Sequence, residues 1–228
     1  CNPNRVKLQL AALYEAIKEQ HIAYCTPPSS FGDAGQRVRL SDNVLSGKLG
    51  TCLDLSLLYA SCAEAMGLHP LLVIIQGHAF VGCWLIDGTF PDAVNDDPSL
   101  LTKRTADGIN EVILLEATCM TDGNNVTFDT AVGLANDKML AVNDFTCFID
   151  VARSRFAHIL PLPQRVMHGK AWTVSPEVAQ IPKGGLYISP VSAPEEIKQY
   201  DLDNQDSYVE FTKQLLWERK LLDLSLRN

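Results

Sequence analysis

At 228 residues and 46% hydrophobic content, the chain is long enough for one filled core with some length left over, so one main domain is expected. A net charge of −8 and a pI near 5.1 work against a nucleic-acid surface, which needs clustered Lys and Arg, so this fragment itself is expected to bind no nucleic acid. The apolar run from Leu71 to Ile75 is five residues, against the roughly 18 to 20 that a membrane helix requires, so no membrane association is expected.

The cysteines, at positions 1, 25, 52, 62, 83, 119 and 147, are scattered, odd in number and never in a CxxC pair. That spacing suits neither a disulfide framework nor a zinc site, so no metal or cofactor is expected and a reducing, cytoplasmic location is the simpler reading. The chain opens on Cys1 rather than Met, with no signal-peptide pattern after it, as expected of an internal piece of a longer protein or of a trimmed chain.

From Asn4 to Glu19, Val6, Leu10, Leu13 and Ile17 fall at helical spacing behind Pro3 and predict an amphipathic opening helix. Thr26 to Gly35, rich in Pro, Ser and Gly, predicts a loop, and Asp42 to Ser46 a short helical turn. Cys52 to Met66 is rich in Leu and Ala, poor in β-branched residues and followed by Gly67, which predicts a mostly buried helix starting at Thr51 or Cys52. Leu71 to Gln76 and Ala79 to Ile86 are β-rich runs separated only by Gly77-His78, which predicts adjacent antiparallel strands with His78 opening the second.

Residues 87–110, with Gly88, Pro91, Pro98 and several aspartates, read as an excursion between strands with room for a short helix. Glu111 to Cys119 reads as a third strand, Phe128 to Leu140 as a helix and Phe145 to Val151 as a further strand. The domain expectation is therefore an α+β core over 1–160 with an insertion at 87–110. Prolines and Gly184-Gly185 make 161–202 an irregular segment or linker, and 203–228 is expected to be an amphipathic helix that packs on this core or on a following domain.

A thiol is a strong nucleophile near neutral pH only as thiolate, which a helix N-terminus favours through its unpaired N–H groups and partial positive charge. Cys52 sits at such a start, and its own N–H would face the charge developing on an attacked carbonyl. Gly50 is read as leaving room for a substrate backbone. The competing reading makes Cys52 a small core residue, as Cys62 is expected to be. His78, at a strand start beside that helix, is the natural base, against the alternative of a hydrogen-bonded core histidine. Glu116, a carboxylate inside the apolar run Val112 to Ala117, is costly to bury without a partner and is the candidate to orient the imidazole. Of the competing carboxylates, Asp87 is more simply a turn residue and Asp96-Asp97 a solvated loop.

The strings Gly50-Thr51-Cys52-Leu53-Asp54, Gly77-His78-Ala79-Phe80-Val81 and Leu114-Leu115-Glu116-Ala117-Thr118 resemble the three motifs of the transglutaminase-like superfamily. The resemblance covers roughly residues 36–150. It departs in having Glu rather than the more usual Asp, and in the 38 positions between His78 and Glu116, longer than the family's usual gap. It implies a papain-like fold, catalytic Cys52, His78 and Glu116, and attack on an amide or ester carbonyl through a thioester released to water or to an amine. Gln36 is then a candidate side-chain donor to the oxyanion, or a partner of its own loop backbone.

The segment from Trp217 to Asn228 resembles the opening of the next region in large bacterial superfamily 1 helicase-like proteins that carry such a domain near the N-terminus. The leading expectation is a cysteine hydrolase or acyltransferase acting on a protein or peptide amide, with a helicase-like region downstream in the same chain. Residues 87–110 are expected to be its specificity loop. The alternatives are a catalytically silent peptide- or protein-binding module and a structural spacer.

Overall fold

The computed structural model describes residues 2–26, 37–141, 145–161, 165–168 and 171–174. Helix α1 (Pro3–Lys18) starts where Asn2 accepts a hydrogen bond from the Asn4 N–H, and it buries Val6, Leu10, Leu13, Tyr14 and Ile17. Two short strands, β1 (Ala23–Tyr24) and β2 (Leu49–Gly50), form a parallel pair on either side of α2 (Ser41–Gly47). Helix α3 (Cys52–Ala65) follows at once and buries most of its circumference.

Strands β3 (Pro70–Ile75) and β4 (His78–Trp84) form a hairpin whose two-residue connection places Gly77 at φ 72°, a left-handed conformation that glycine adopts without steric cost. The excursion holds β5 (Val94–Asn95) and α4 (Ser99–Thr105) before β6 (Val112–Leu115). A 3-10 turn (Ala117–Met120), α5 (Phe128–Ala141), β7 (Phe145–Asp150) and α6 (Val151–Phe156) complete the core, and β8 (Arg165–His168) pairs with β9 (Ala171–Val174). The class is α+β, with a five-stranded antiparallel sheet in the order β5-β7-β3-β4-β6.

Alternation along the strands divides the core between the two faces of that sheet. Leu72, Val81, Ile113 and Leu115 pack with α1 and α3 residues such as Leu10, Leu13, Leu55 and Leu58. Leu71, Val73, Phe80, Trp84 and Leu114 pack with Phe90 and Leu101 of the excursion and Met139 of α5. Gly82 gives room on this second face: a Cβ there would stand 2.9 Å from Leu114 Cδ2 and 3.2 Å from the Ile113 carbonyl oxygen, so a neighbour would have to shift.

Three expectations change. The third strand stops at Leu115 rather than Cys119, because the Glu116 carboxylate turns back to accept the Thr118 N–H and opens a 3-10 turn. The excursion is not placed as a specificity loop: its Phe90 and Leu101 fill the face opposite α3, and β5 lies at the far edge from β6. Part of the segment expected to be irregular is the β8–β9 hairpin, which falls in the proline-free run between Pro163 and Pro176. Gln36, the helix expected over 203–228 and its helicase-like motif lie outside the described residues. Among the described residues, no helix is long and apolar enough to cross a membrane.

Candidate active site

The start of α3 is fixed by side chains before any chemistry is considered. Thr51 Oγ1 accepts the Asp54 N–H at 3.3 Å while Asp54 Oδ2 accepts the Thr51 N–H at 3.0 Å, a reciprocal capping box. Asp54 is fully buried and also accepts the Arg39 N–H at 2.8 Å and its guanidinium at 3.0 Å. Burial alone would raise this carboxyl, but the donors from Thr51 and Arg39 outweigh it and hold it below the ordinary carboxylate value. Gly50, just upstream, is closed to substrate: a Cβ there would meet Val44 Cγ1 at 3.3 Å and Leu55 Cγ at 3.4 Å. Its glycine serves the packing of α2 on α3.

Cys52 is therefore the first residue of a rigidly capped helix and is 5% exposed. The Ser56 hydroxyl is shared between Cys52 O at 2.8 Å and Ala79 O at 3.3 Å, which ties the thiol's turn of α3 to the strand residue after His78. His78 Nε2 lies 2.7 Å from Glu116 Oε2, which leaves the other ring nitrogen, Nδ1, to face the Cys52 thiol, the neighbour that most raises the imidazole's pKa. Glu116 is almost fully buried, and its Oε1 accepts both the Thr118 N–H at 3.1 Å and the Thr118 hydroxyl at 2.6 Å. The three residues expected at the site are thus brought together in one chain of contacts.

Two further residues join them that the sequence did not single out. Lys138 of α5 places Nζ 2.6 Å from Glu116 Oε2 and 3.1 Å from His78 Nε2. Tyr24 of β1, held beside Gly50 by the parallel pairing, lies near enough to Cys52 for the thiol to raise its pKa, behind the larger effect of burial. Neither carried a local signal: a lysine on an exposed helix face and a tyrosine next to a loop both read as ordinary surface.

Burial raises the thiol of Cys83 to about 12 and also raises those of Cys119 and Cys147. Cys52 moves the other way. Burial again disfavours its thiolate, but hydrogen bonds from His78 and from the Ala79 and Leu53 N–H groups outweigh that cost and bring it below the ordinary thiol value. For His78, burial disfavours the imidazolium, yet its hydrogen bonds to Cys52 and Glu116 raise it to about 9 against an opposing push from Lys138. For Glu116, burial is again the largest influence and again loses, to His78, Lys138 and Thr118, leaving the carboxyl at about 2. The shifts of Cys52 and His78 both favour the charged pair, a thiolate beside an imidazolium whose second N–H is held by a carboxylate.

Comparison with protein-family models, with curated proteins and with solved structures returns no match to this chain.

Proposed function

We propose that this domain is a thiol acyl-transfer enzyme of transglutaminase-like or papain-like type, acting on an amide of a protein or peptide. The observation that carries the reading is the Cys52 thiol at a capped helix start, beside a His78 that is itself 2.7 Å from a buried Glu116. A core cysteine or a core histidine needs none of this, and a buried carboxylate spent on orienting an imidazole is costly unless the imidazolium is used.

In the reaction, the Cys52 thiolate attacks the carbonyl carbon, and the oxyanion forms near the Cys52 N–H, which at the first position of a helix has no intrahelical acceptor. His78 gives its proton to the departing amine as the C–N bond breaks, leaving a thioester on Cys52. It then takes a proton from a water or an acceptor amine that attacks the thioester, and the Cys52 thiolate leaves, restoring the ion pair. Glu116 keeps Nε2 protonated throughout, so that Nδ1 is the nitrogen that exchanges the proton.

The test is alkylation by limiting iodoacetamide with peptide mapping, on the protein and on His78→Ala, across about pH 5 to 9, a span that brackets the reference thiol pKa of about 8.5. Cys52 is expected to react ahead of the more exposed Cys25 and Cys147, with an apparent pKa below that reference. In His78→Ala, burial is left to act on the thiol with its main hydrogen-bond partner gone, so its rate at neutral pH should fall by about tenfold or more, one pKa unit being a factor of ten. Labelling that simply follows exposure would leave a binding module that keeps the residues without turnover.

A further inference from the structure

Glu116 Oε2 is approached by two cations at once, His78 Nε2 at 2.7 Å and Lys138 Nζ at 2.6 Å, while Oε1 is filled by Thr118. A carboxylate needs only one partner to orient an imidazole, so the second cation calls for a reason. An ordinary surface ion pair does not supply one: Lys138 is 41% exposed at its side chain, but its Glu116 partner is 3% exposed, and Nζ also stands 3.1 Å from the His78 ring nitrogen. With Nε2 protonated toward Glu116, the Lys138–His78 approach is one between two donors that share an acceptor, and each weakens the other's hold on it. The placement is reinforced by the backbone, since the Glu116 N–H donates to Ala131 O of the same helix α5 at 3.1 Å.

We infer that Lys138 is a positioning residue of the Cys52–His78–Glu116 site, which by occupying Glu116 Oε2 beside His78 limits how tightly the carboxylate holds the imidazolium. The inference rests on the thiol–imidazole reading proposed above and adds to it a fourth group with a distinct task. An imidazolium clamped by a buried carboxylate alone is a reluctant acid, slow to give up the proton that the leaving amine needs. A neighbouring ammonium offsets part of that clamp, so His78 remains a usable acid as well as a base. Charge balance agrees: with Lys138 and Glu116 paired, the site is neutral both as thiol with imidazole and as thiolate with imidazolium, so proton transfer between Cys52 and His78 changes no net charge. The titratable groups around the imidazole are Cys52 from α3, Tyr24 from β1, Glu116 with Cys119 behind it in the 3-10 turn, and Lys138 from α5.

The experiment uses the full chain as wild type, Lys138→Met, Lys138→Gln and Lys138→Arg. Two readouts are followed: the pH dependence of Cys52 alkylation by the anionic probe iodoacetate, which prefers a thiolate beside a cation, and the NMR titration of the His78 ring. In Lys138→Met and Lys138→Gln, the alkaline fall in alkylation and the His78 midpoint should both move up by about one pH unit, the usual size of a single charge acting at this range. Lys138→Arg should restore the wild-type profile. A merely structural lysine would leave both midpoints in place. Unmoved midpoints, an Arg variant that behaves like Met, or neutral variants that fail to melt cooperatively would each overturn the inference while leaving the thiol–imidazole pair standing. If wild-type Cys52 has no preference over the other thiols, both readings fall together, which is a separate and recognisable result.

Discussion

Glu116 is the residue on which chemistry and stability meet. Replacing it with Gln keeps the shape and one acceptor but removes the charge between two cations, at a cost of about 1–3 kcal/mol, toward the low end because Lys138 can turn to water. The pH dependence has a definite sign. Glu116 is held at about 2 from an ordinary 4.5, so its contribution is present above 4.5 and is lost as pH falls through about 2. His78 is held at about 9 from 6.5, so its contribution is complete below 6.5 and disappears as pH rises through about 9. Thermal melts of Glu116→Gln should therefore show a shallower decline than wild type between pH 4.5 and 2. Parallel curves would mean that Glu116 contributes nothing specific to acid stability. At this scale Cys52, His78 and Glu116 were legible because each stood beside a local mark: a helix start, a Gly turn, and a charge in an apolar run. Lys138 and Tyr24 had no such mark, since only the packing of α5 on β6 and the pairing of β1 with β2 bring them in.

At the scale of elements, reactivity depends on how well α3 begins. Its first turn is held by a network that reaches back to Arg39, and three hydrogen bonds converge on the buried Asp54 carboxylate from Thr51 N, Arg39 N and Arg39 Nη1. Asp54→Ala removes the cap and strands buried donors, a loss of about 2–4 kcal/mol by urea unfolding. The same variant should slow Cys52 alkylation at neutral pH even well below its melting temperature, because a frayed first turn no longer aims the Leu53 N–H at the sulfur. A loss under about 0.5 kcal/mol, the level of an ordinary surface change, would show that the cap is redundant. The long, strongly patterned elements, α1, α3, α5 and the β3–β4 hairpin, were readable from periodicity and their Gly and Pro boundaries. The two-residue strands and the six-residue α6 were not, being too short for a period to appear. The end of β6 is hard to read because Ala117-Thr118-Cys119-Met120 continues an apolar run, while the Glu116 side-chain bonds to Thr118 and the Cys119 N–H to Glu116 O bond bend the chain away.

Across the whole molecule, the sheet separates what holds the fold from what holds the site. Register puts His78 opposite Ile75 at one end of β3 and Asp150 opposite Leu71 at the other, levels that lie about 13 Å apart along the strand at roughly 3.3 Å per residue. Asp150 is fully buried and accepts from Trp84 Nε1 at 3.2 Å, Phe90 N at 2.8 Å and Arg153 N at 2.8 Å. It joins β4, the excursion and α6 at the sheet end remote from the thiol, and Arg104 of α4 closes the same corner by lying over the Trp84 and Phe90 rings. None of this was legible in the sequence, where Asp150 falls unmarked inside the strand candidate Phe145 to Val151 and 87–110 is an excursion, because strand order is a tertiary fact that periodicity does not encode. Asp150→Ala leaves two buried donors, Trp84 Nε1 and Phe90 N, without an acceptor at about 1–3 kcal/mol each and removes the N-cap of α6, so a loss of at least about 3 kcal/mol and a clear drop in melting temperature are expected. The site should be indifferent to it: below the melting transition, the pH profile of Cys52 alkylation in Asp150→Ala should superimpose on that of wild type, since no group near His78 has moved or changed charge. A displaced profile in a well-folded variant would mean that the second core bears on the thiol through the strands, and would return the excursion to consideration as part of the working site.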